Sequence, residues 1–332
     1  MAKYSLFFCL VLPALLIMGC TGYAVLEGKK EPEPQIPRET GPEPAIYFCK
    51  KDNCSRGLEE AIALAHSTVH CAFYDLDLAN IIGALSKKSK EIEVRVVLDD
   101  ESYEGALSGP GVVVEDRPSR MHNKFCVLDA SYVFTGSFNP TSNDNDINDN
   151  NAILLSSVYL SGNYEQEFSE LWEGKFSAGE RVLHPLFQHN DMLVESYFCP
   201  EDECEERISH LISKANSSIH FMVFSFTSKT IADAILYNAN AKTMGVFDSS
   251  QAGSKYSQYH RLSGFGVFVK KDKGKGKLHH KVFIIDNETV ITGSYNPTGS
   301  GSNNNDENIL VVHDKTIARM YLDEFNRLFD AS

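Results

Sequence analysis

The chain repeats itself. The segment AIYFCKKDNCSRGLEEAIALAHSTVHCAFYDL, beginning at Ala45, matches ESYFCPEDECEERISHLISKANSSIHFMVFSF, beginning at Glu195, at an offset of 150 residues. Further on, MHNKFCVLDASYVFTGSFNPT aligns without a gap with LHHKVFIIDNETVITGSYNPT at an offset of 157. A duplication constrains the fold more than any local signal, because both halves must adopt the same unit. Two long copies also exclude a solenoid, which stacks many short ones.

Within each copy the hydrophobic spacing alternates between periods. Leu58, Ala61, Ile62 and Ala65 lie at helical spacing, as do Ile208, Leu211, Ile212 and Ala215. Strand-like runs follow at Thr68–Leu76 and Ser218–Phe226, then the helical stretches LANIIGAL and TIADAIL. The runs IEVRVVLD, GVVVED and GVFVKK read as further strands. Each copy closes on an apolar helix face, Tyr164, Phe168, Leu171 and Trp172 against Tyr321, Phe325, Leu328 and Phe329. The expected class is α/β, with two tandem α/β/α sandwich domains at 45–175 and 196–332 and a linker at 176–195. A length of 332 residues and a hydrophobic fraction of 42% allow two such cores and exclude a disordered chain.

The N-terminus reads differently. Lys3 precedes an apolar run from Ser5 to Met18, short for a membrane span and suited to a signal peptide (1–19). Ile17-Met18-Gly19-Cys20 resembles the lipobox of bacterial lipoproteins, which implies acylation of Cys20, export and a membrane anchor. Residues 20–44, rich in Pro, Glu and Gly, read as that lipidated cysteine and a solvated tether. In an oxidising compartment, Cys49 with Cys54 and Cys199 with Cys204 are expected to form two small disulfide loops. Cys71 and Cys126, in strand-like runs, are expected to be buried free thiols.

Each half carries His-x-Lys-x4-Asp: His122, Lys124 and Asp129, then His279, Lys281 and Asp286. Seven residues after each Asp comes Gly-Ser-aromatic-Asn, with Ser137 and Asn139 in one half and Ser294 and Asn296 in the other. This pattern resembles the phospholipase D superfamily. Alternation along a strand puts each His on the same side as its Lys. Two-fold pairing of the halves can then present two imidazoles and two ammonium groups to one phosphodiester at the seam. The resemblance implies attack by one His to form a phosphohistidine, protonation of the leaving alcohol by the other, and release by water. It calls for no metal and no cofactor. Lys124 and Lys281 would neutralise the phosphate, and Ser137, Asn139, Ser294 and Asn296 would hydrogen-bond it. Asp129 and Asp286 are expected to support the site or fix the strand-to-turn geometry. His280 should face away from the site, and His66, His70, His210 and His220 read as structural.

The family often places an acid fourteen residues after the first Gly of that second motif. Here the second half has Glu307, whereas the first has Asn150, with Asp149 one position away. Pairing of Glu307 with His279 would make His279 the better acid and His122 the nucleophile.

The substrate stays open. A formal charge of −14 argues against indiscriminate nucleic-acid binding. However, Lys270, Lys271, Lys273, Lys275 and Lys277 lead directly into the second motif and read as a phosphate-recruiting lip, against only Arg117 and Arg120 beside the first. A lipid-anchored phospholipase D acting on membrane phospholipid is preferred. An exported endonuclease acting on DNA or RNA comes second, and a phosphate-binding lipoprotein without catalysis third. Since one chain carries both motifs, a monomer should suffice.

Overall fold

The computed structural model describes residues 35–100, 105, 107–109, 111–115 and 119–332. The signal peptide, Cys20 and Arg117 lie outside the described residues. Residues 36–332 form one compact unit. Among the described residues no helix is long and apolar enough to cross a membrane.

Both halves build the same mixed sheet. In the first, the strand order is Ala45–Phe48, Asn151–Ser156, Tyr132–Gly136, Lys124–Leu128, Thr68–Phe73, Glu93–Asp99, Val112–Glu115. The last three run parallel and the others antiparallel. The second half repeats that order with Met192–Cys199, Glu307–His313, Thr289–Gly293, Lys281–Ile285, Ser218–Val223, Lys242–Phe247 and Phe268–Lys271. It then adds two edge strands, Leu186–His189 and Arg38–Glu39, to reach nine.

The alternation of side chains along each central strand explains the layers. Phe125 and Val127 enter a core shared with residues of the second half, while Cys126 and Leu128 enter a separate core under the helices Cys54–Leu64 and Ala79–Lys88. The closing helices Val158–Trp172 and Lys315–Ala331 both pack into the shared core through the apolar faces read from the sequence. Strands buried on both faces read as continuous apolar runs, which these do.

Three expectations are corrected. Cys71 and Cys126 form a disulfide, in addition to Cys49–Cys54 and Cys199–Cys204. The two residues are direct partners across antiparallel strands, with Cα atoms 4.1 Å apart, so pairing register decided what spacing along the chain did not show. Closing a separation of 55 residues contributes about 4 kcal/mol in the chain-entropy picture. The end of the tether is docked rather than solvated. Arg38–Glu39 pairs with Leu186–His189, Asn190 exchanges two hydrogen bonds with Gly41, and buried His189 meets Glu39 and the Pro42 carbonyl. The linker 176–195 likewise supplies the edge strand Leu186–His189 and the start of Met192–Cys199, with which it forms a hairpin.

Candidate active site

The repeated His-x-Lys motifs sit where the two halves cross. The segment before each motif strand leaves its own sheet and makes a short parallel bridge with the other half, Met121 with Asp306 and Asp149 with Leu278. His122 N–H donates to the Asp306 carbonyl at 2.9 Å, and His279 N–H donates to the Asp149 carbonyl at 2.9 Å. The next residue in each partner strand therefore faces the imidazole of the other half. Glu307 Oε2 lies 2.8 Å from His122 Nδ1, and Asn150 Oδ1 lies 2.9 Å from His279 Nδ1.

This corrects the expected pairing of Glu307 with His279: the brace acts across the seam, not within a half. Asp149 is not its substitute. Its carboxylate binds Lys50 at 2.6 Å and Arg327 at 2.7 Å. The second carboxylate at the site is Asp144, whose Oδ2 lies 3.4 Å from His279 Nδ1.

Ser137 and Ser294 stand behind the imidazoles. Ser294 Oγ donates to Glu307 at 2.8 Å and Ser137 Oγ donates to Asn150 at 3.0 Å, both fully buried. They hold the braces instead of the phosphate, contrary to expectation. The preceding glycines permit this. A Cβ on Gly136 would lie 2.3 Å from the Asn151 carbonyl oxygen, and one on Gly293 would lie 2.3 Å from that of Asn308. Asn139 donates its amide to Asp144 at 2.7 Å, and Oδ1 of both Asn139 and Asn296 is buried without a hydrogen-bond partner.

Asp129 and Asp286 lie away from the paired imidazoles, so of the two roles expected for them the structure shows the one at the strand-to-turn geometry and not the support of the site. Asp129 accepts from the backbone of His66, Ser67 and Thr68, and Asp286 from that of Asn216, Ser217 and Ser218. Burial pushes the Asp129 carboxyl up, but those N–H groups prevail and hold it at about 2. The role is to tie the turn after the motif strand to the start of the strand paired with it, Thr68–Phe73 in one half and Ser218–Val223 in the other. His280 faces away as expected, 3.0 Å from Asn151 Oδ1.

Tyr74 and Phe224, absent from the sequence reading, line the site. Tyr74 follows the strand Thr68–Phe73 and Phe224 follows Ser218–Val223, at the same repeat position. Their ring centroids lie 4.9 Å from His122 and 5.0 Å from His279. Each is flanked by cations, Arg120 and Lys124 at Tyr74, Lys277 and Lys281 at Phe224. In the lysine-rich lip, Lys270 is tied to the Phe329 carbonyl and Lys271 lies over Tyr259, leaving Lys273, Lys275 and Lys277 exposed.

Burial dominates the electrostatics. His122 is pushed well below the ordinary imidazole range by burial and then by Lys124 and Lys281. His279 is lowered to about 4 by burial and Lys281, against the pull of Asp144. Both imidazoles therefore keep a lone pair at neutral pH. Lys124 falls to about 8 and Lys281 to about 7 through burial, and for Lys281 also through Lys124. Burial raises Glu307 to about 7 against the pull of the lysines. An arriving phosphodiester anion raises the lysines and His279 again. Hence kcat/KM, which reports the free enzyme, should fall with rising pH, steepening above about pH 7 as Lys281 loses charge and again above about pH 8 as Lys124 follows. A pH–rate profile checks this; a flat kcat/KM well into the alkaline range contradicts it. Among the described residues no cluster of three or more His, Cys, Asp or Glu is arranged to hold a metal ion.

A family model described as cardiolipin synthase, PLD-like domain, matches residues 58–172 and 208–329. The chain belongs to the phospholipase D-like family. Among its relatives, the mitochondrial cardiolipin hydrolase of Xenopus tropicalis is 32% identical over 152 residues, 45% of this chain and 70% of that protein. The phospholipase D of Rickettsia conorii is 35% identical over 132 residues, 39% of this chain and 66% of that protein. The solved phosphatidylserine synthase of Haemophilus influenzae shares the fold, with a TM-score of 0.62 over 86% of this chain and 85% of that one, at 11% identity. Family and relatives make this chain a phospholipase D-like phosphodiesterase.

Proposed function

We propose that the protein hydrolyses phosphodiesters without a metal, through a phosphohistidine, and that its substrate is membrane phospholipid. The observation that carries the mechanism is the pair of imidazoles braced across the seam. In the empty site His122 is neutral, with Nδ1 held by Glu307, so Nε2 is free to attack phosphorus. Attack leaves positive charge on the ring, which the adjacent Glu307 carboxylate offsets. The phosphate anion raises His279, which takes up a proton from solvent at Nε2 as the substrate binds and passes it to the leaving alkoxide. His279, now neutral, takes a proton from water as it attacks the phosphohistidine, and His122 leaves with its lone pair restored. Lys124 and Lys281 neutralise the nonbridging oxygens in a single chain.

This keeps His122 as nucleophile for a reason opposite to the sequence argument: the stronger carboxylate contact belongs to the ring that acquires charge permanently in the intermediate.

The lipid reading is supported by relatives named for phospholipid and cardiolipin, and by the lipobox-like segment at Cys20, which would anchor the enzyme at an envelope membrane. The exposed Lys273, Lys275 and Lys277, the last of them against Phe224, together with the aromatic rings at both histidines, favour a nucleic-acid backbone as the second reading. The test offers phosphatidylglycerol vesicles, cardiolipin vesicles, plasmid DNA and single-stranded RNA to the protein in EDTA. Release of lipid head group without nicking is expected. Nicking without lipid turnover overturns the substrate, and loss of all activity in EDTA overturns the metal-free mechanism.

A further inference from the structure

We propose that Asp144 is the positioning carboxylate of His279, doing for that ring what Glu307 does for His122 and what the amide of Asn150 cannot. The proposal rests on reading His279 as the acid for the leaving group. Repeat symmetry sets the problem. His122 has Glu307 on Nδ1, but the equivalent of Glu307 is the amide Asn150, which accepts a hydrogen bond and supplies no charge. Asp144 supplies that charge from elsewhere in the same half, 3.4 Å from His279 Nδ1.

The carboxylate is built into place. Its Oδ2 accepts from Asn139 N at 2.9 Å and Asn139 Nδ2 at 2.7 Å, and its Oδ1 accepts from Asn148 Nδ2 at 2.7 Å. Its own N–H donates to Thr141 Oγ1 at 3.2 Å, which fixes the short turn that carries it. Asp144 is buried, and a buried carboxylate needs donors and a cation partner. Protonated His279 is such a partner. Burial pushes the Asp144 carboxyl up, yet His279 and the amide donors hold it below the ordinary carboxylate range.

The second half cannot use the same solution. The position equivalent to Asp144 is Gly301, where a Cβ would lie 2.4 Å from the Asn296 carbonyl oxygen. That half therefore holds its acid at Glu307, and the first half holds it at Asp144. Each half supplies one carboxylate, from different positions, to the histidine of the other.

The test compares kcat/KM on two diesters. One is the alkyl diester that the wild type turns over, dioctanoyl phosphatidylglycerol or a dinucleoside monophosphate. The other is bis-p-nitrophenyl phosphate, whose leaving group needs no acid. Asp144→Asn should lower kcat/KM about 10- to 100-fold on the alkyl diester and less than about threefold on the nitrophenyl diester. Adding Asn150→Glu should restore the alkyl diester to within about tenfold of wild type. Equal losses on both diesters, or no recovery in the double variant, overturn the proposal. Should Asp144→Asn fail to fold by circular dichroism, Asp144→Gly with Asn150→Glu copies the second half and carries the same comparison. In that variant, recovery supports the proposal and activity as low as that of His279→Ala overturns it. A His279→Ala protein with full activity on the alkyl diester would instead refute the reading of His279 itself.

Discussion

His122→Ala should lower kcat on any diester by about 10⁴-fold or more while the protein stays folded. The magnitude follows from removing the proposed nucleophile, the ring that Glu307 holds at Nδ1. The ring is buried and touches Tyr74, so some packing is lost. The volume vacated is that of one imidazole, so the thermal midpoint should move by only a few degrees. Leaving-group chemistry separates this variant from the others. Because attack on phosphorus is gone, bis-p-nitrophenyl phosphate is lost as completely as an alkyl diester. Stopped assays on both substrates check this. Residual turnover within about a hundredfold of wild type on the activated substrate would show that another group attacks.

His279→Ala should give a different signature. Loss of a general acid costs about 10²- to 10⁴-fold when the leaving group is an alkoxide. With p-nitrophenolate the first step needs little help, so a burst of nitrophenolate equal to the enzyme concentration should appear. The second step then stalls, because the base that would activate water is missing, and the phosphoenzyme accumulates. Rapid-mixing absorbance measures the burst. A variant that turns over both substrates slowly with no burst would place His279 in attack or in binding, not in proton transfer.

Much of this site was legible in the sequence, and what was not has physical causes. The duplication announced two equivalent α/β units, and the two His-x-Lys pairs announced opposed imidazoles and ammonium groups. The braces were misread because the halves exchange them. Glu307 is close in sequence to His279, but the parallel bridge between Met121 and Asp306 delivers it to His122. A sequence offset records position within a half and carries nothing about the crossing. Asp144 was hidden in the polar run TSNDNDINDN, where any of several carboxylates would look alike until a turn selects one. Tyr74 and Phe224 were visible as a repeated aromatic, but an aromatic at the end of a buried strand reads as core. Cys71 and Cys126 needed the register of two strands far apart in the chain. Ser137 and Ser294 were assigned to the phosphate because a hydroxyl beside a catalytic motif suggests substrate. Burial shows instead that they fix Asn150 and Glu307 from behind.

The central claim is that His122 attacks phosphorus and His279 handles protons, each braced by a carboxylate from the opposite half. The direct measurement is to quench His279→Ala during turnover of bis-p-nitrophenyl phosphate at alkaline pH, which preserves phosphohistidine. The adduct is then located by mass spectrometry of the peptides. A phosphoryl adduct on His122 is the expected result. An adduct on any other residue, or a wild-type protein that carries its adduct on His279, would contradict the account.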